Sequence, residues 1–415
     1  MKHIIASLCT ATCLAITTHG TAAAQNHSLL QPNIASLQVV AGDNWLSMPV
    51  ITLNNDEAIH ISFDDLTHEY HRYVYSIEHC EADWTPSENL LPSEYCEGFT
   101  EGNTIDDVKE SINTKQLYTH YHFQLPNRHC RPFLSGNYRV TVTDDNTGDS
   151  ILTACFMLSE QTMNLGIEAY TNTDKDINRQ HQQVAMQLSY NGNKVTDHSR
   201  EIKTVVLKNG YWYDAAWNAT PQFIMPDGLK WSHNTHLIFN AGNEYRKFET
   251  LDPTHPTMGI EAVGWDGTHF SASVWPDEPR PNYVYDEDAN GSFYIRNSDN
   301  IENDVASDYI LTRFTLLCTP QPGDVFLHGQ WTNGSLAPTY RMTYHPELKA
   351  YTADVLLKQG YYSYTYLLRT PDALRTLPAD GNFFQTENTY YAFVYYRPIG
   401  SRTDRLVAYQ RVQLK

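Results

Sequence analysis

Apolar and polar residues alternate with a period of two along much of the chain, the spacing of half-buried β-strands. In Tyr121-His122-Phe123-Gln124-Leu125 the apolar side chains share one face, while His120, His122 and Gln124 point to the other. Asn137 to Thr143 repeats this, with Tyr138, Val140 and Val142 inward. The turn residues Asp144 to Asp149 follow, and Ile151 to Leu158 returns as the partner strand, which predicts a hairpin. Leu134 to Tyr138 has the form of a tyrosine corner, the loop-to-strand tie of immunoglobulin-like sandwiches. Ile105 to Ser111 reads as a short helix with Thr104 and Asp107 as a capping pair, or equally as a loop.

Further along, Val184, Met186, Leu188 and Tyr190 alternate with polar or small residues. Strands are predicted at 202–208, 236–240 and 292–296. Pro276, Pro279 and Pro281 make 275–288 a long loop or edge crossing. Short strands then fill 309–317, 325–328, 341–344, 351–357, 361–368 and 390–396. Polar stretches near 159–161 and 297–308 serve as boundaries. The expected architecture is all-β: tandem immunoglobulin-like or E-set-like sandwiches at 25–160, 161–303 and 304–415.

Composition agrees with strands, since 28 Tyr and 15 Phe accompany few Ala-rich stretches. A chain of 415 residues is too long for one ordinary core. Its formal charge of −19 is spread along the chain, which argues against binding nucleic acid or anionic lipid. Residues 1–24 have the layout of a secretory leader: Lys2, a mostly apolar run from Ile4 to Ile16, then Ala22-Ala23-Ala24 before a cut at Gln25. The alternative of a membrane anchor suffers from Ser7, Thr10 and Thr12, and from a run shorter than the ~20 residues a span requires. Cys13 raises a lipoprotein signal, but Thr10 stands where an aliphatic residue is usual. No later segment approaches a span, so the mature chain is expected to be exported and soluble. Cys80, Cys96, Cys130, Cys155 and Cys318 then remain, in a compartment that permits disulfides. Sequence does not select a pairing among them.

Catalytic signatures are missing. There is no Gly-x-Ser-x-Gly, and no cysteine–histidine pair with a local signature. Asp64 and Asp65 are adjacent on a strand, so they face opposite ways and cannot flank one glycosidic bond. Metal spacing such as Cys-x-x-Cys is missing too, and His120 and His122 read as solvated imidazoles on a polar face. Asp286 to Gly291 opens like a calcium loop, but Asn297 stands where the twelfth position needs a bidentate Glu. Asn290-Gly291 between Tyr283–Tyr285 and Phe293–Ile295 reads better as a hairpin turn. No cofactor is implied.

Two resemblances add to this reading. Val325 to Trp331, Met342 and Gly360-Tyr361-Tyr362 resemble the glycogen-binding-like modules found beside starch enzymes. That likeness implies a glycan contact through Trp331; the competing reading packs Trp331 inside a sandwich. The second resemblance is denser. Tyr73 to Trp84 (YVYSIEHCEADW) is followed by Glu97-Gly98-Phe99, Tyr118 to Tyr121, Leu125-Pro126-Asn127 and Ser135 to Tyr138. His181 to Val184, Gly242 to Arg246, Asp288 to Gly291, Leu357 to Tyr362, Glu387-Asn388 and Val394 to Pro398 continue the series in order. Together these resemble the plug-protein family of the Bacteroidota type IX secretion system.

This resemblance implies a non-enzymatic periplasmic protein that seals the inner mouth of a large outer-membrane β-barrel translocon. The signature residues His79, Cys80, Asp83, Trp84, Gly98, Gly136, Tyr138 and Gly360 are expected to serve structure, with Asp83 and Trp84 closing a turn and Trp84 packing inward. Cys96 and Cys130 stand outside the family pattern.

Overall fold

The computed structural model describes residues 27–414, so the leader, with Cys9 and Cys13, lies outside the described residues. Strand pairing follows the alternation closely. Gly136–Asp144 buries Tyr138, Val140 and Val142 on one face and leaves Arg139, Thr141 and Thr143 half-buried on the other. It pairs antiparallel with Ser150–Ser159, Tyr138 opposite Phe156, and on its other side with Tyr73–Cys80. Ser28–Leu29, Asn103–Thr104 and a parallel Val50–Thr52 complete this sheet. Ile34–Ala41, Ile59–Asp65, Thr119–Leu125 and Asp107–Glu110 form the facing sheet.

The inner faces of the two sheets meet in one core, where Tyr75 stacks on Phe123 at 4.5 Å and Phe63 on Tyr121 at 5.2 Å. Each such ring contributes roughly 1.5–3 kcal/mol by leaving water. Asp107–Glu110 is a strand rather than the helix or loop expected at 105–111. The edge of Thr119–Leu125 supplies a pairing partner that short-range sequence does not reveal.

A second sandwich has one sheet of Asn164–Tyr170, His181–Ser189, Gly228–Trp231 and Phe223–Met225, with Ile238–Asn240 added to His181–Ser189. Its other sheet is ordered Tyr211–Trp217, Ile202–Lys208, Thr389–Tyr396, Arg405–Gln413. The last two strands come from the C-terminal end of the chain. In the third sandwich Gly360–Thr370 is central. Arg246–Glu249 and Phe293–Ile295 pair with one half of it, Asp324–His328 and Ala373–Thr376 with the other. The facing sheet runs Ile260–Trp265, Phe270–Val274, Tyr309–Leu317, Ala350–Lys358, Thr343–His345.

The sheets therefore cross the boundary drawn at 303/304 in both directions. Residues 246–295 build into the third sandwich, and residues 389–413 return to the second. A polar stretch marks a loop, but its polarity does not say which sheets that loop joins. The hairpin expected at Asn290-Gly291 is also corrected. Both residues have positive φ, 50° and 88°, but Tyr283–Tyr285 is not a strand. Phe293–Ile295 pairs instead with Gly360–Tyr362.

Thr389–Tyr396 (TYYAFVYY) shows why the sandwiches are fused. Tyr390, Ala392 and Val394 enter the second core, while Tyr391, Phe393 and Tyr395 pack against Cys80, Trp84 and Met157 of the first sandwich. A strand buried on both faces reads as an unbroken apolar run, and this one does.

Candidate functional site

The densest signature lies where the first sandwich meets the second. The strand Tyr73–Cys80 ends in a tight turn, in which Asp83 Oδ1 accepts from Thr85 N at 3.1 Å and from Thr85 Oγ1 at 2.6 Å. Trp84 takes φ 67° and its N–H donates to Glu81 O at 2.9 Å. Its ring is wholly buried, edge-on to Trp212 of the second sandwich at 5.7 Å. Cys80 is buried in the same cluster, beside Phe393 and Tyr395.

Around this turn the two sandwiches exchange charges. Asp404 Oδ2 accepts from the backbone N–H of Ala82 at 3.0 Å and from Lys203 Nζ at 2.8 Å, and its Oδ1 accepts from Arg397 Nε at 2.9 Å. Glu81 completes the ring: Oε2 accepts from Asp404 N at 2.9 Å and from Arg397, and Oε1 accepts from Thr403 Oγ1 at 3.0 Å and Ser87 Oγ at 2.7 Å. Burial alone would raise the Asp404 carboxyl, but hydrogen bonds from Lys203 and Ala82 outweigh it and hold the group below the usual carboxylate range. Asn137 Nδ2 donates to Glu81 O at 2.8 Å, and Tyr395 OH donates to Asn137 Oδ1 at 2.8 Å.

His79 stands behind this clasp. Nε2 faces Ser135 O at 3.1 Å and Nδ1 faces Ser87 Oγ at 2.9 Å; burial pushes its pKa down to about 4. Gly136 has φ 143°, and a Cβ there would lie 2.3 Å from His79 Nε2, so the close approach of imidazole to backbone requires glycine. Tyr138 OH donates to Leu134 O at 2.7 Å, the tie expected of a tyrosine corner. Gly98 sits opposite Cys130 in a small ribbon at the edge of the first core. Gly360 is remote from the clasp: it opens the central strand of the third sandwich, where a Cβ would strike Tyr294 O at 2.4 Å.

A second ionic tie joins the first sandwich to the third. Asp64 Oδ2 accepts from Lys358 Nζ at 2.6 Å and from Tyr309 OH at 2.7 Å; Oδ1 lies 2.7 Å from His120 Nδ1. Lys358 also donates to Asp304 O at 2.6 Å and lies over the Tyr118 ring at 4.2 Å. Burial raises the Asp64 carboxyl, yet the Lys358 ammonium and the His120 bond outweigh it and hold it below the carboxylate range. His120 is thus buried against a neighbouring sandwich, not solvated as its alternating face suggested. Asp65 faces the other way, accepting from Tyr73 OH at 2.8 Å, as the pleat dictates.

Of the two readings of Trp331, the packed one is the arrangement in the structure. The residue is 5% exposed, its Nε1 donates to Ser363 O at 3.1 Å, and its ring stacks on Phe314 within the third core. Among the described residues, no group of three or more His, Cys, Asp or Glu side chains is placed to hold a metal ion. None of the described helices is long and apolar enough to cross a membrane. Asp404, Lys203, Arg397, Lys358 and Tyr309 carry the ties and were not singled out in the sequence. Of these, Lys358 and Arg397 lie inside stretches that carry the family resemblance.

Fold and site together define an all-β protein of immunoglobulin-like sandwiches whose distinctive polar residues are spent between sandwiches. Residues 34–160 match the first domain of the type 9 secretion system plug protein. The crystal structure of a hypothetical protein from Parabacteroides merdae ATCC 43184 is 37% identical, covers 94% of this chain and all (100%) of its own, and superposes with a TM-score of 0.91. The chain belongs to the type 9 secretion system plug protein family. The C-terminal domains of the antigen I/II-family protein AspA of Streptococcus pyogenes (9% identity, 91% of this chain and 98% of that one) and of BspA of Streptococcus agalactiae (7%, 92% and 98%) reach TM-scores of only 0.17, too low to inform the fold. No curated protein matches the chain.

Proposed function

We propose that the protein is a non-enzymatic periplasmic plug, which binds and seals the periplasmic opening of the large outer-membrane β-barrel translocon of type IX secretion. Family membership supports the plug role. The observation that carries the mechanical part is the fusion of three sandwiches by an apolar seam and two ionic ties, one wholly and one partly buried. A stopper works by shape, so it must resist deformation under the traffic it blocks. Packed sheets alone leave neighbouring sandwiches free to hinge; directional charged bonds between them fix the angle. The net charge of −19 suits a basic rim on the partner and speeds encounter with it.

This reading asks nothing of nucleic acid, cofactor or membrane insertion, and the protein remains on the periplasmic side of its partner. Affinity purification of the tagged chain from native outer membranes tests the partnership. A giant barrel recovered with the chain supports it. Reproducible absence of the barrel from the eluate, while it is present in the same membranes, overturns it.

A further inference from the structure

The cysteines of the described residues differ sharply in what they are able to pair with. Cys96 and Cys130 lie on the two strands of one antiparallel ribbon, Cys96–Gly98 and Cys130–Pro132, with Cys96 opposite Pro132 and Cys130 opposite Gly98. Both side chains turn into the first core, 3% and 0% exposed, and their Sγ atoms are 3.6 Å apart. The two cysteines are diagonal neighbours across the ribbon with their side chains leaning together, so the sulfurs need to approach by about 1.5 Å to reach the ~2.05 Å of a disulfide.

The other cysteines are placed differently. Cys80 pairs with Asn137 and Cys155 with Arg139, which puts them on opposite sides of Gly136–Asp144. Two strand spacings, about 10 Å, exceed the ~7 Å limit between bridged Cα atoms. Cys318 belongs to the third core, where Gln321 Nε2 lies 3.2 Å from its sulfur.

We infer that Cys96 and Cys130 form the disulfide of this protein, made by thiol–disulfide exchange with a protein disulfide oxidant of the compartment to which the chain is exported. The thiolate of one cysteine attacks the oxidant's disulfide, giving a mixed disulfide and releasing one oxidant thiol. The second cysteine, deprotonated, displaces the remaining oxidant sulfur and closes the Cys96–Cys130 bond. Two electrons and two thiol protons end on the oxidant, which leaves as a dithiol. Because both sulfurs are buried in the finished fold, exchange belongs to folding, before the ribbon closes.

The bridge braces the clasp. Tyr95, next to Cys96, accepts the Tyr138 hydroxyl at its carbonyl oxygen and lies 6.1 Å from the His79 ring. Its cellular occurrence rests on the proposed export, whereas the pairing itself rests on geometry alone.

The test uses the mature chain, refolded once with mixed oxidised and reduced glutathione and once with reductant. Thiols are then trapped by a maleimide in denaturant and peptides mapped. After glutathione, label is expected on Cys80, Cys155 and Cys318 only, with a linked peptide joining Cys96 to Cys130. Label on all the cysteines, or a link involving any other one, overturns the inference. Cys96→Ser should fold and leave Cys130 labelled. The same trapping on chain drawn directly from cells should give the glutathione pattern. A bridge formed in glutathione but missing in cells would overturn the oxidising compartment and leave the pairing standing.

Discussion

Lys358 places its ammonium 2.6 Å from the Asp64 carboxylate, a bond between residues 294 positions apart that ties the third sandwich to the first. Both side chains are almost wholly buried, 2% and 1% exposed. The attraction offsets two desolvation costs, and it does so only because Tyr309, His120 and the Asp304 carbonyl satisfy the remaining valences.

Lys358→Met strips the buried Asp64 of its ammonium partner while Tyr309 and His120 remain, and is expected to cost roughly 3–5 kcal/mol. Adding Asp64→Asn should recover part of that loss, because the stranded charge is gone. Denaturant unfolding of the single and double variants checks the ordering. A double variant less stable than Lys358→Met would contradict the account.

The clasp gives the pH dependence its sign. His79 titrates near 4 when folded and near 6.5 when unfolded, so the unfolded chain binds more protons between those values. The stability that its neutrality supplies is complete above pH 6.5 and lost as pH falls towards 4, a difference of about 3 kcal/mol. Asp64 and Asp404, held below the usual range, add a further loss at lower pH, as it falls through their folded values. His79→Gln should flatten the profile between pH 6.5 and 4 relative to the unmodified chain, as measured by chemical unfolding across that window.

Gly136→Ala brings a methyl against His79 Nε2 in a backbone conformation that L-residues avoid. A loss of about 1–3 kcal/mol is expected from the overpacking. The loss should shrink when His79 is also reduced to alanine, which a double-mutant cycle reads directly.

Trp331→Ala removes a large side chain from the third core and should cost roughly 3–5 kcal/mol. Retention on insoluble glucan should not change with it, since the ring is not available to stack on a sugar. Binding to glucan that disappears in a variant still folded by circular dichroism would revive the glycan reading.

Strand positions were legible in the sequence wherever one face is buried and the other wet, as at Tyr121 and Tyr138. The hairpin joining 136–144 to 150–159 followed from local pattern and turn chemistry alone. What joins the sandwiches was not legible. Asp64 and Lys358, or Glu81 and Arg397, meet only after the chain has folded, and no periodicity links residues so far apart. His120 looked solvated because a polar alternating face is the same pattern whether it meets water or a satisfied ionic neighbour. The return of Thr389–Tyr396 to the second sandwich escaped for a related reason: its apolar run announces burial on both faces but names neither partner.

Conductance of the purified translocon in a planar bilayer tests the central claim most directly. Adding the chain from the periplasmic side should lower the open-barrel current in proportion to occupancy, with the block weakened when the clasp is loosened by Arg397→Ala and Asp404→Asn. Undiminished current through a barrel demonstrably carrying the bound chain would contradict the plug.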